Sequence, residues 1–123
     1  MLVNKNNFMN FSAGERIFSE GGTADGVYLI AEGTVEISKK QNGERLVLAT
    51  MGVNEIFGEM ALIDGKPRSA EARAVTPCRC IKVDNLNFKS RIASLDPFMQ
   101  GMFRVLSEKV RLMNDRLAET EKK

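Results

Sequence analysis

The sequence predicts a mainly β fold, a closed barrel or jelly roll of short strands followed by C-terminal helices. Two contrasts of texture carry that reading. From about residue 10 to residue 83, short apolar runs are separated by glycines and polar turns. From residue 84 onward the only glycine is Gly101, and apolar residues recur at helical spacing. The 123 residues fit one domain with one core and leave no room for a separate catalytic domain.

The strands can be taken in order. Val27-Tyr28-Leu29-Ile30 is an apolar run, and after Gly33 the segment Thr34–Ser38 alternates apolar and polar, as a half-buried strand does. Asn42-Gly43 follows, then Leu46–Ala49. An Asn-Gly pair between two strands signals a type I′ hairpin, whose two central residues need positive φ. Ala70–Val75 and Cys78–Val83 are two further strands, joined by a Thr76-Pro77 turn. Short strands at this spacing suit a barrel or a jelly roll.

The helical part opens at Asp84, an N-cap for a short helix through Phe88 and Ile92. Asp96-Pro97 starts a second helix, with the acid as N-cap and proline at the first helical position. Along it Met99, Phe103, Leu106, Val110, Met113 and Leu117 recur at steps of four and three, a heptad stripe. Such a face either lies on the barrel or pairs with its copy. The stripe is longer than a small barrel needs, which favours a dimer.

Composition excludes several functions. Histidine is absent, so the commonest acid–base group, the commonest metal ligand and every His-containing triad are missing. The net charge of +2 is too small for nucleic-acid binding by bulk electrostatics. Arg104, Lys109, Arg111 and Arg116 on the second helix are interspersed with Glu108, Asp115, Glu119 and Glu121, which reads as a solvated face. Cys78 and Cys80 are too few for a zinc site, and as i and i+2 neighbours on a strand they do not suit a disulfide; strand packing is the expectation. No apolar run approaches the ~20 residues needed to span a bilayer. The N-terminus lacks the apolar core of a signal peptide, so a cytoplasmic location is the default expectation.

One stretch, Asn54 to Ala70, fits neither texture. It leaves a strand through Gly58, enters helix-forming residues from Glu59 to Ile63, passes a Gly65-Lys66-Pro67 turn and returns to a strand behind Arg68. A helix opening after Gly58 presents unpartnered N–H groups and a partial positive charge, an anion site. Ala61 would let an anion approach the backbone, and Arg68 can offer a planar fork to two phosphate oxygens. Glu59 would repel a phosphate but would accept from sugar hydroxyls. Phosphate and hydroxyl on one compact ligand describe a nucleotide. Spacing alone leaves blander readings open, since a first-turn Glu can answer the helix dipole and a loop Arg can simply be solvated.

Here FGEMALIDGKPRSA, residues 57–70, resembles the phosphate-binding cassette of cyclic-nucleotide-binding domains, as in the catabolite activator protein, the protein kinase A regulatory subunit and cyclic-nucleotide-gated channels. Upstream, FSAGERIFSEGGTADGVYLIAEGTVEI resembles the family's first strands, with Gly14, Gly21 and Gly33 at its turns. The matches cover roughly residues 11 to 83. They imply a double-stranded β-helix (jelly-roll) barrel over 11–83 behind a lead-in of 1–10, with C-terminal helices over 84–123, as one domain.

The resemblance also implies site roles. Arg68 would pair with the cyclic phosphate, Glu59 and the backbone of Gly58 would hold the ribose 2′-hydroxyl, and the N–H groups of Ala61 and Ala70 would complete the phosphate cradle. Phe57, Met60 and Leu62 complete the expected pocket residues. Ser69 stands where many cAMP sites have alanine and many cGMP sites threonine, and favours cAMP over cGMP as the ligand. Glu71 departs from the threonine or serine of kinase versions. The long helix would cap the purine and move when ligand arrives, with Asn114 a candidate for an edge contact to the base.

The expected function is therefore a regulatory module that binds cAMP or cGMP, uses no metal and is not an enzyme. Its expected partners are the nucleotide, a second copy through the 97–117 helix, and a fused or separate effector, with no membrane. The family's DNA-reading members add a helix-turn-helix beyond the long helix, so nucleic-acid binding by this chain alone is not expected. The alternative is a dimerisation scaffold of the same fold without ligand. A histidine-dependent metalloenzyme of the cupin kind is the remaining rival, and the missing histidines speak against it.

Overall fold

The computed structural model describes residues 8–59 and 65–121, with side chains through Val110 and at Leu112 and Met113. Among the described residues there are eight strands: β1 (Phe8–Phe11), β2 (Arg16–Phe18), β3 (Gly26–Glu32), β4 (Val35–Gln41), β5 (Glu44–Met51), β6 (Ile56–Phe57), β7 (Glu71–Ala74) and β8 (Cys78–Asp84). Two helices follow, α1 (Asn85–Ala93) and α2 (Pro97–Glu121). The chain divides into two compact units, residues 1–85 and 86–123.

In the first unit the strands form two four-stranded antiparallel sheets, ordered β1-β8-β3-β6 and β2-β7-β4-β5. Each strand pairs with its mirror in chain order: β1 with β8, β2 with β7, β3 with β6, β4 with β5. This is one long hairpin folded on itself, and the β3–β8 and β4–β7 pairings complete the two sheets. The fold is the expected jelly roll.

The innermost hairpin is set by its turn. Asn42 (φ 57) and Gly43 (φ 80) both sit in the left-handed region, so Gln41 pairs with Glu44 and the ladder runs back to Val35 and Met51. A bulge lies between Ile37 and Ser38, whose partners Ala49 and Val47 bracket Leu48. Inward positions alternate: Val35 on β4 and Ala72 and Ala74 on β7 are fully buried, with Ile30 and Cys80 from the other sheet. Two alanines in succession on one inner face let the sheets close around Phe57, Tyr28 and Phe11. Cys78 and Cys80 are buried free thiols in this core, packed as expected. Burial pushes the Cys80 thiol up to about 11.

The strands read from the sequence are present, several longer by a residue or more. Strands β1, β2 and β6 are not visible to pattern reading. They are two to four residues long, too short for alternation to register. Their places are fixed by remote partners: β1 by β8, β2 by β7, β6 by β3. β1 begins at Phe8, inside the segment expected as a lead-in.

Helix α2 starts as foreseen. Asp96 Oδ1 accepts a hydrogen bond from the Met99 N–H at 3.0 Å, the N-cap of α2. Gln100 closes the α1–α2 turn by donating to the carbonyl oxygens of Leu95 (2.7 Å) and Ala93 (3.2 Å). Phe88 and Phe103 meet with ring centroids 5.8 Å apart. Of the heptad stripe, Phe103 and Val110 are half-buried while Met99, Leu106 and Met113 are exposed. The side chains of Asn114 and Leu117 lie outside the described residues.

Candidate functional site

The barrel unit carries a cavity of about 210 Å³. Its walls come from four strands and the segments beside them: Phe18 of β2, Ile37 of β4, Ala49 and Met51 of β5, and Ile56 and Phe57 of β6. Gly58, Glu59, Arg68, Ser69 and Ala70 close its polar end. Six of the residues expected at the site (Phe57, Gly58, Glu59, Arg68, Ser69 and Ala70) are thus gathered around one space. Met60, Ala61 and Leu62, with the short helix expected there, lie outside the described residues.

Arg68 organises this end. It is 3% exposed, on a segment whose backbone is tied to the turn before β3: Arg68 N–H donates to the Gly22 carbonyl (2.9 Å), and Gly21 N–H donates to the Arg68 carbonyl (2.7 Å). Its Nη1 donates to the Gly58 carbonyl at 2.8 Å, and its Nη2 donates to the Gly26 carbonyl at 2.7 Å and to Asp25 Oδ1 at 3.2 Å. The Phe18 ring lies under the guanidinium, 4.1 Å from centroid to Cζ. Nε is buried without a partner. A buried cation with an unused donor beside a cavity has capacity for an anion.

Gly58 is held by the same contact. Its φ is 84, and a Cβ there would lie 2.7 Å from Arg68 Nη1 and 3.3 Å from Phe18 Cε2. Only glycine allows the chain to turn here with the arginine this close. Glu59 and Ser69 are exposed at the rim, whereas Ala70 is buried in the wall. Phe57 also belongs to the core, stacked on Tyr28 with centroids 5.1 Å apart. Glu71 takes no part in the cavity lining and pairs instead with Arg16 (2.9 Å) and Arg73 (3.2 Å).

Sequence reading missed Asp25, Lys82, Phe18 and the apolar wall. Asp25 Oδ2 accepts from Lys82 Nζ at 2.7 Å, so one carboxylate spans two cations. The Lys82 hydrogen bond, against the opposing effect of burial, holds the Asp25 carboxyl below its usual range, with Arg68 adding to it. Asp25 and Arg68 are far apart in sequence, and only the pairing of β3 and β8 brings Lys82 to them. The one local signal was an acid in the glycine-rich turn before a strand.

A family model described as the cyclic nucleotide-binding domain matches residues 8–94. The chain belongs to the cyclic nucleotide-binding domain family. The CRP-like cAMP-activated global transcriptional regulator of Mycobacterium tuberculosis is 31% identical over 112 residues, 90% of this chain and 50% of the regulator. The type II regulatory subunit of the Drosophila melanogaster cAMP-dependent protein kinase is 33% identical over 99 residues, 80% of this chain and 26% of the subunit. Among solved structures, the cAMP-bound form of the EAL enzyme Bd1971 is similar, at 35% identity and TM-score 0.73, covering 92% of this chain and 30% of that one. Its cGMP-bound form matches at 36% identity and TM-score 0.69, covering 85% and 28%. The chain spans half or less of the length of these relatives. Among the described residues no group of three or more His, Cys, Asp or Glu is placed to hold a metal, and no helix is long and apolar enough to cross a membrane.

Proposed function

We propose that this chain is a regulatory module that binds a cyclic nucleotide, cAMP in preference to cGMP, and does no chemistry on it. The observation that carries the reading is Arg68, a buried cation with an unpartnered Nε at the polar end of a cavity whose other walls are apolar. A phosphate answers the arginine, the apolar wall accepts a purine, and Glu59 at the rim is an acceptor for the ribose hydroxyl. On this reading the backbone of Gly58 joins Glu59 at the ribose hydroxyl, and the N–H groups of Ala61 and Ala70 would complete the phosphate cradle. Ser69 lies on the cavity wall, where a hydroxyl reaches either phosphate or base. Two named relatives respond to cAMP, which supports the nucleotide preference.

Binding favours one of two arrangements of the chain by the difference in affinity between them, and the output leaves through α2. That helix exposes Met99, Leu106 and Met113 for a second copy or for an effector. Without histidine the chain lacks the commonest general acid–base group, which supports a binding rather than a hydrolytic role.

Isothermal titration calorimetry of unfolded and refolded, ligand-free protein tests the reading. One nucleotide per chain is the expected stoichiometry, with cAMP the tighter of the two. Arg68→Lys keeps the charge and loses the fork; it is expected to weaken binding at least about thirtyfold, given the worth of hydrogen bonds to charged groups. Equal affinity in variant and wild type would remove the phosphate role from Arg68, and no heat with either nucleotide would leave the ligand-free scaffold as the account.

A further inference from the structure

The β2-β7-β4-β5 sheet carries a second cavity, about 640 Å³, on the face turned away from Arg68. Successive residues of a strand face opposite sides of its sheet. Ile37 of β4 lines the Arg68 cavity and Ala72 of β7 is fully buried in the core. Their neighbours Ser38, Glu71 and Arg73 line the second cavity instead. Its floor is the small side chain of Ser38, 2% exposed, which pairs with Glu71 on β7 and Val47 on β5. Longer side chains stand around that floor and make it a groove.

Five cations line the groove, among them Arg16, Lys40, Arg45 and Arg73, against two carboxylates, a surplus of three positive charges. The carboxylates do not use up these donors. Glu71 Oε1 is shared between Arg16 Nε at 2.9 Å and Arg73 Nη2 at 3.2 Å, so one carboxylate holds two guanidiniums. Glu20 is turned to the backbone, its Oε1 accepting from the Lys40 N–H at 2.9 Å. Arg45 meets Glu36, from outside the lining, through Nη2; counting that carboxylate the surplus is two. Arg16 and Arg45 are still 54% and 46% exposed. Arg73 is spent on Glu71 and on the Gly14 carbonyl (2.9 Å) and shapes the wall.

We propose that this groove is a docking site for an acidic polypeptide segment of an effector, held by Arg16, Lys40 and Arg45. Charge complementarity calls for an anion there. Among the described residues no aromatic side chain lines the groove, so the stacking that single-stranded nucleic acid uses is not offered. The interspersed Glu20 and Glu71 repel a continuous phosphate backbone, whereas carboxylates spaced along a peptide fit between them. From Arg16 on β2 to Arg45 on β5 is three strand spacings, about 14 Å, which about four to five extended residues cover. The groove lies across the sheet from the Arg68 cavity, so its occupant does not compete with a ligand there, and the proposal does not depend on what that ligand is.

The test is fluorescence anisotropy of a fluorescein-labelled oligoglutamate peptide, about six residues to span the groove, titrated with the full chain. Physiological ionic strength screens charges more than about 8 Å away and so separates the groove from bulk charge. Wild type is expected to bind saturably, and the pair Lys40→Glu and Arg45→Glu to weaken binding at least about tenfold. The pair Arg79→Glu and Lys89→Glu makes the same change of net charge at exposed positions outside the groove, and is expected within about twofold of wild type. Thermal transitions check that each variant is folded, and amide shift mapping of the wild type locates the peptide without mutation. Shifts are expected on β2, on β4 from Ser38 onward and at Arg45. Absent binding, equal losses from the two pairs, or shifts centred elsewhere overturn the proposal. A thymidine oligonucleotide of the same length that binds tighter than the peptide also overturns it, in favour of a nucleic-acid surface. Wild type that binds the peptide but no cyclic nucleotide sustains the docking site and removes the nucleotide reading alone.

Discussion

At the scale of single residues, the site is built around a cation removed from water. Leaving Arg68 buried with one donor free would be costly if the remaining donors were idle, and they are met by two carbonyls, a carboxylate and an aromatic face. The arginine in turn constrains its neighbours, most tightly Gly58. Gly58→Ala places a β-carbon in the left-handed region and against Nη1. The expected loss of stability is about 1–3 kcal/mol, read as a shift of the denaturant midpoint. Cyclic-nucleotide affinity is expected to fall more than about tenfold, since ~1.4 kcal/mol of lost contact suffices for that. A variant with wild-type midpoint and affinity would mean that the arginine moves aside without consequence. Gly58 and Arg68 were legible in the sequence because both fall in the stretch that fits neither strand nor helix texture and resembles the family's cassette: a glycine between a strand and a polar turn, and an arginine behind a proline. Asp25 and Phe18 were not, because an acid in a turn and an aromatic in a three-residue strand are unremarkable until pairing brings them to Arg68.

At the scale of elements, local chemistry settles some boundaries and remote partners settle others. The β4–β5 hairpin was legible from Asn42-Gly43 because the turn type demands those residues. Strand β6 was not, since two residues show no period and exist as a strand only through Tyr28 and Leu29. The start of α2 belongs to the legible kind, and its cap can be measured. Asp96→Ala removes the acceptor of the Met99 N–H and is expected to cost about 1 kcal/mol, seen in the denaturation midpoint with a small loss of helical dichroism. Asp96→Asn, which keeps a side-chain acceptor, should restore most of it. If alanine and asparagine behaved alike, the charge near the helix end rather than the bond would be the stabilising feature.

At the scale of the whole molecule, the change of texture at residue 84 separated strands from helices, and the division into units falls at the same place. The nested strand pairing was beyond the sequence, because β1 and β8 meet only when every intervening strand is in place. What the helical unit does with its apolar residues is the remaining question of scale. In α2, Met99, Leu106 and Met113 of the heptad stripe are all more than two-fifths exposed, an apolar face that a second copy could cover. A second α2 offers the same heptad spacing and would bury that stripe against itself. Sedimentation equilibrium of the full chain is expected to report a dimer whose dissociation is concentration-dependent. Ending the chain after Leu95 removes α2 and leaves the barrel unit with α1, and the β-type dichroism of the barrel serves as the check that it remains folded. A monomer in that shortened chain places the interface on α2. A dimer that survives moves it to the barrel, where the exposed Leu46, Val47 and Leu48 of β5, a strand at the end of its sheet, become the surface to mutate next.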